Sequence, residues 1–287
     1  MRIIDTHAHI YHPDETRYPI CPNPYRPPAG AGTLEHMERE RTANRIESVV
    51  WIHTFTMYRW DNSLVADVVG ANRHRDTGVC ALNPDDPRSP EVLEEYCRDR
   101  GIRGLRVFPV ETPEGGRSFE RPGHLRLWEK CGELGMVVCA LIHAGQIPVL
   151  RRYLEQFPQQ PVVLDHCANV AAPQLDASDR EARAAEVEEV IALAAYPNLY
   201  AKVTNVVTGS QEAYPCRDMY EMTRRIIAAY GPDRCIWGSD FPCELWIPKT
   251  DLAGHIRIFT DELGLDATAQ RAILETTARR LWFPGTV

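Results

Sequence analysis

The nine cysteines of this 287-residue chain include no C-x-x-C pair, which removes zinc ribbons and thioredoxin-like redox centres from consideration. No G-x-G-x-x-G follows any strand-like run and there is no P-loop, so nothing supports a nucleotide-binding sheet. The longest apolar run, Met136 to Ile142, falls far short of the roughly 20 residues a membrane helix needs, and no membrane partner is expected. Nor is there an excess of positive charge: 32 Lys plus Arg stand against 40 Asp plus Glu, a formal net charge of -8. A chain of that sign does not bind nucleic acid over its whole surface by counterion release, although a local basic pocket for an acidic small molecule is compatible with it. The opening residues, Met1 to Asp5, do not lead from a basic stretch into an apolar core, so no secretory signal is expected. An odd number of cysteines in a protein of this size suits reduced thiols and a cytoplasmic location.

What is present is ordinary globular composition, with 44% hydrophobic and 25% charged residues, enough to bury a core without disulfides. Short runs rich in Val, Ile and Leu alternate with helical patterns. Strands are expected over Ile3–Ala8, Ser48–His53, Thr77–Leu82, Ile102–Phe108, Met136–Ile142, Val162–His166, Leu199–Thr204 and Cys235–Ser239. Several are continuously apolar, as parallel strands covered by helices are. Ser89-Pro90 reads as an N-cap followed by a first-turn proline, with Gly101 ending that helix. Val187, Val190, Ile191 and Ala194 repeat at helical spacing, as do Met222, Ile226, Ile227 and Tyr230. Ile273, Leu274 and Leu281 place a last helix against the body.

Eight strand-then-helix units predict an α/β fold, a single (β/α)8 TIM barrel spanning residues 1–287. Between Pro13 and Gly32 lie six prolines and two glycines, with Tyr11, Tyr18 and Tyr25 interleaved. This long first βα loop either folds over the barrel mouth or runs free on the surface.

Chemistry-bearing residues fall at the strand ends. His7 and His9 alternate with Thr6 and Ala8, so both point to one face, roughly 6.6 Å apart at Cα. Two imidazoles so placed can converge on one divalent ion at about 2.0–2.1 Å each; alone, each would be a hydrogen-bonded core histidine. Asp240 stands at the end of the eighth strand, and barrel closure sets that strand beside the first, facing His9. His166 ends the sixth strand, next to Asp165 of opposite facing, as a third ligand or an acid–base group. Arg103 and Arg106 cannot both face inward without a bulge. Arg106 lies nearer the rim and suits a carboxylate clamp, or else an ion pair between barrel and helices. Lys202, on the seventh strand, requires a partner or a role. His53 and His143 are further candidates at the rim, His143 as an additional metal ligand. Asp61-Asn62 reads as a helix cap, and Cys139 and Cys167 as apolar fillers.

Together, Asp5-Thr6-His7-Ala8-His9, Gly104-Leu105-Arg106, Asp165-His166, Lys202 and Trp237-Gly238-Ser239-Asp240-Phe241-Pro242 resemble the amidohydrolase superfamily, and within it the lactonase branch. The resemblance implies a (β/α)8 barrel and hydrolysis at a carbonyl, with a lactone of a small organic acid as substrate. In that scheme Asp240 and His166 are catalytic, while Arg106, His53 and Lys202 bind a carboxylate-bearing small molecule. His7, His9, His166 and Asp240 would hold one divalent metal, zinc foremost; catalysis without metal is the alternative, and a homo-oligomer is left open. Two departures matter. No arginine lies between Val203 and Ser210, and none follows soon after Arg106, where the branch often carries them. Leu141 occupies the position at which related decarboxylases carry a metal-binding histidine, which weakens the competing reading of a metal-dependent, non-oxidative decarboxylase of an aromatic or muconate-type acid.

Overall fold

The computed structural model describes residues 1–112, 115–170 and 180–285. Eight parallel strands follow one another around the molecule: β1 (Ile3–His9), β2 (Ile46–Ile52), β3 (Thr77–Cys80), β4 (Ile102–Val107), β5 (Val137–Ala140), β6 (Val162–Leu164), β7 (Leu199–Lys202) and β8 (Cys235–Ile236). All eight expected strands form. Several stop short of the expected C-terminal ends: β6 at Leu164 rather than His166, β8 at Ile236 rather than Ser239. At this rim the backbone leaves the ladder, with His166 and Asp240 just beyond it.

The last strand meets the first. Thr6 N–H donates to the Trp237 carbonyl (3.2 Å), His9 N–H to that of Phe241 (2.9 Å), and Asp240 N–H to that of His7 (2.9 Å). The close approach depends on Gly238, where an added Cβ would sit 2.5 Å from the His7 Cβ. Gly238→Ala is therefore expected to lower the melting temperature by roughly 3–10 °C, the cost of one overpacked methyl. A thermal melt equal to wild type would show that the seam has slack.

Inside the ring, Ile4, Val50, Val79, Val137, Cys139, Val163 and Ile236 fill the lower layers, and Trp282 from the last helix plugs that end. Bulky branched side chains pack a barrel this way, leaving no pore. Gly104 makes room for the Trp282 ring, which a Cβ there would meet at 2.9 Å. The second, larger core lies between strands and helices. Val187, Val190, Ile226, Ile227 and Tyr230 of the expected stripes are buried in it, while Ile191, Ala194 and Met222 are half-buried and Leu193, outside the expected stripe, is buried instead. Ser89 departs from expectation. It is the first helical residue rather than the cap, and its hydroxyl donates to the Asn83 carbonyl at 2.6 Å. Gly101 does terminate that segment, in the left-handed region at φ 78.

The proline- and tyrosine-rich loop is packed. Cys21 N–H donates to the Met57 carbonyl (2.8 Å) and the Tyr18 hydroxyl to Asp67 (2.9 Å). Tyr11 and Tyr18 are buried, and only Tyr25 is largely exposed. No described helix is long and apolar enough to cross a membrane.

Candidate active site

Asp240 anchors the site. It follows β8 in the left-handed region (φ 58), a conformation aspartate tolerates better than most residues. Its Oδ1 lies 3.4 Å from His7 Nε2 and 3.9 Å from His9 Nε2. Behind it, fully buried Asp5 accepts hydrogen bonds from the Ser239 hydroxyl (2.5 Å), the Ser239 N–H (2.9 Å) and the His7 N–H (3.0 Å). One carboxylate thus ties the turn carrying Asp240 to the strand carrying both histidines.

The top interior layer of the barrel is charged. Asp165 sits at its centre, 2.8 Å from Lys202 Nζ and 2.9 Å from Arg106 Nε. Lys202 also reaches His7 Nδ1 at 3.2 Å, and Arg106 Nη2 lies 3.5 Å from both His7 Nε2 and His166 Nε2. His7 joins this layer although Ile4, three residues earlier, also faces inward. A register shift between Asp5 and Ala8 allows it.

His166 arrives by a different device. His166, Cys167, Ala168 and Asn169 are all left-handed, with φ between 49 and 58. Such backbone costs L-residues roughly 1–2 kcal/mol apiece and persists only where the surroundings hold it. Here the Asn169 amide donates to the Ile142 carbonyl (2.8 Å), and His166 Nδ1 pairs with the Thr204 hydroxyl (2.5 Å). The turn also cancels strand alternation, so Asp165 and His166, expected to face oppositely, enter one cluster.

Burial governs the proton affinities. It pushes the Asp240 carboxyl up to about 7, with Arg106 opposing. Burial alone would also raise Asp165, but Lys202 and then Arg106 hold it well below the usual carboxylate range. Burial, reinforced by Lys202, keeps the His7 imidazole well below its ordinary value, and His9 follows through burial and Arg106. His166 is lowered by burial to about 3. The three imidazoles are neutral near pH 7. His9 Nδ1 is 3.1 Å from the Ile52 carbonyl, so it carries the hydrogen and leaves the Nε2 lone pair toward Asp240. Lys202, a donor only, assigns the opposite tautomer to His7, whose Nε2–H then faces Asp240.

A cavity of about 640 Å³ opens over this centre. His9, Arg106, His166 and Asp240 reach it, as does His143 at the exposed edge. His7 is fully buried and does not line the cavity; neither does Lys202, which is spent on Asp165 and His7. His53, expected at the mouth to bind substrate, is instead buried, with Nε2 2.6 Å from the Arg59 carbonyl. Arg103 is exposed outside the barrel, as the spacing from Arg106 requires. Asp61, one residue before the N-cap, accepts from Ser63 N–H (2.9 Å), whereas the N-cap Asn62 makes no side-chain capping bond and instead clamps both the N–H and carbonyl of Ala81. His7, His166 and Asp240 offer donor atoms within 4.8 Å of one another, a candidate metal group that includes neither His9 nor His143. The first loop supplies no cavity-lining residue. Its Tyr25 packs on Trp246 (5.1 Å), which lines the cavity and packs on His9 (5.3 Å). Sequence reasoning missed Trp246, Thr204 and Arg117, the last a further cavity residue carried on a short hairpin.

An eight-stranded parallel barrel with a strand-end acid, facing histidines and a buried cationic layer at its C-terminal rim has the form of a (β/α)8 barrel enzyme. The chain belongs to the amidohydrolase family, whose model matches residues 4–283. It is similar to a 4-sulfomuconolactone hydrolase of Hydrogenophaga intermedia, 26% identical over 83% of this chain and 74% of the relative. Among solved structures it resembles a putative 2-pyrone-4,6-dicarboxylic acid hydrolase from Pseudomonas putida, with TM-score 0.78, 22% identity, and coverage of 98% of this chain and 97% of that one. It also resembles a zinc-bound amidohydrolase from Burkholderia multivorans, with TM-score 0.74, 19% identity, and coverage of 98% and 99%.

Proposed function

We propose that this protein hydrolyses the lactone of a small organic acid, with Asp240 as general base. The observation that carries this reading is a buried carboxyl with proton affinity near neutrality, facing a cavity beside a histidine lone pair and an arginine. A base is most effective when its pKa lies near the working pH. Asp240 and His9 Nε2 are two acceptors suited to the two hydrogens of one water, which leaves the water's own lone pair free for a carbonyl carbon. Asp240 takes one proton as the C–O bond forms. The charge gathering on the carbonyl oxygen falls to Arg106, which lines the cavity and whose Nε is fixed by Asp165. Such preorganised donors are typically worth about 3–4 kcal/mol of barrier. When the ring C–O bond breaks, the departing oxygen takes the proton from Asp240, giving a hydroxy acid that ionises and releases one proton to solvent. His166, neutral and fixed by Thr204, forms the wall against Arg106. His7 is a positioning residue.

The donor set His7, His166 and Asp240 has the spacing of a divalent centre, and the amidohydrolase from Burkholderia multivorans holds zinc. The surrounding charges argue against a resident ion here. Lys202 on His7 Nδ1 leaves a proton, not a lone pair, on Nε2, and Arg106 already faces both Nε2 atoms. The same acid–base pair serves the reaction without metal. Dialysis against a chelator is thus expected to leave the rate within about two-fold; loss restored by zinc would reverse this assignment.

Proton release from a panel of lactones, followed with a pH indicator, tests the reaction itself. Carbon dioxide release from an aromatic acid, with no lactone opened, would favour a decarboxylase instead. That alternative has little support at the fifth strand's end, where Leu141 lines the cavity. Nine unpaired thiols fit a reducing cytoplasmic setting.

A further inference from the structure

The hydrolytic reading leaves the substrate's acid group without an obvious partner. Arg106 was the expected clamp, but its Nε is held by Asp165 and its Nη2 lies against two imidazoles. It sits where the oxyanion develops, not where a distal carboxylate would bind. Lys202 is sealed beneath the floor. A second arginine reaches the cavity from elsewhere. After β4, Val110–Glu111 pairs antiparallel with Arg117–Ser118 in a two-stranded hairpin. Arg117 lines the cavity from this hairpin, and its exposed guanidinium makes no ion pair or hydrogen bond among the described residues, although Glu111 is its cross-strand neighbour.

Besides these two cations and the polar Thr56, Gln146, Asn169 and Thr208, the cavity has an aromatic wall. Phe55 and Phe108 touch at 4.8 Å, and Trp60 stacks behind Phe108 at 5.7 Å with planes 7° apart. Leu141 and Trp246 add further apolar surface. A flat apolar group laid on this wall would leave water for a matching surface. The cavity, about 640 Å³, is also of the size that encloses larger ligands than a bare lactone ring.

We propose that Arg117 binds the substrate's carboxylate, and that the substrate is an acid whose lactone and carboxylate are separated by a flat apolar arm lying on Phe55 and Phe108. This substrate class rests on the lactone reading, but the test is made on binding alone. Calorimetric titrations would use 3-phenylpropionate, its neutral primary amide, and acetate, which lacks the arm. Wild-type protein is expected to bind 3-phenylpropionate at least roughly ten-fold more tightly than either. Arg117→Gln should bring acid and amide to equal affinity, and Arg117→Lys should keep part of the difference, since charge survives without the fork. An acid preference persisting in Arg117→Gln overturns the assignment, as does wild-type protein that binds acid and amide alike or binds neither. Acetate binding as tightly as 3-phenylpropionate overturns the arm. If the preference follows Arg117 while no lactone is opened, the hydrolytic reading falls and the carboxylate assignment stands.

Discussion

Asp240→Asn is expected to lower the hydrolytic kcat by roughly 10²–10⁴-fold, yet to make the protein more stable above neutral pH. The two effects share a cause. Burial holds the Asp240 carboxyl at about 7, against 3.8 for an unperturbed aspartate. A folded-state pKa raised in this way favours folding while the group stays protonated. That contribution is fully present below about pH 4 and is lost as the pH climbs through about 7. Asparagine never ionises, so it escapes the loss. Thermal melts of variant and wild type should coincide near pH 4 and separate above pH 7, with the variant melting higher. Over the same range the wild-type kcat/KM should rise with pH and level off above about 7. A variant whose kcat stays within a few-fold of wild type would remove Asp240 from the role of base, whatever its stability.

The second large effect concerns Asp165. With both partners within 2.9 Å and all three groups buried, Asp165→Asn leaves two cations without a counter-ion. Breaking a buried pair on one side typically costs about 3–5 kcal/mol, which for a chain of this length is a drop of roughly 6–20 °C in melting temperature. Lys202→Met should cost less, because Asp165 keeps Arg106. The pH sense is opposite to that of Asp240. Asp165 is held well below its ordinary value of 3.8, so its stabilisation is present above about pH 4 and is lost only as the pH falls further. Melts from pH 3 to 8 would show the wild type losing an increment in acid that Asp165→Asn never had. Equal melting of the two proteins near neutrality would mean that the charged layer contributes no net stability.

The barrel was legible in the sequence because eight apolar runs and the helical stripes between them answer to periodicity, which is local. The pairing of Asp240 with His7 and His9 was legible because closure converts a separation of 231 positions (240 minus 9) into contact. What escaped was whatever depends on a departure from regular geometry. Strand alternation put Asp165 and His166 on opposite faces, and four left-handed residues reversed that. His53 stands at a strand end like the others, but its ring turns to the Arg59 carbonyl. Parity along a strand does not say how the chain turns beyond it. Lys202 raised the question of a partner, and only the folded chain could answer it with Asp165, because each lies on a different strand. Arg117 gave one faint signal: Gly115-Gly116 ahead of it marks a turn, though nothing in a turn announces a cavity.

The seam between β1 and β8 has a consequence for synthesis. The histidines leave the ribosome some 230 positions ahead of the acid that completes the centre. A nascent chain halted before residue 235 would lack both the closing stave and the carboxylate proposed as base. Any hydrolysis that rests on Asp240 would thus require a chain translated past residue 240, with its ring closed.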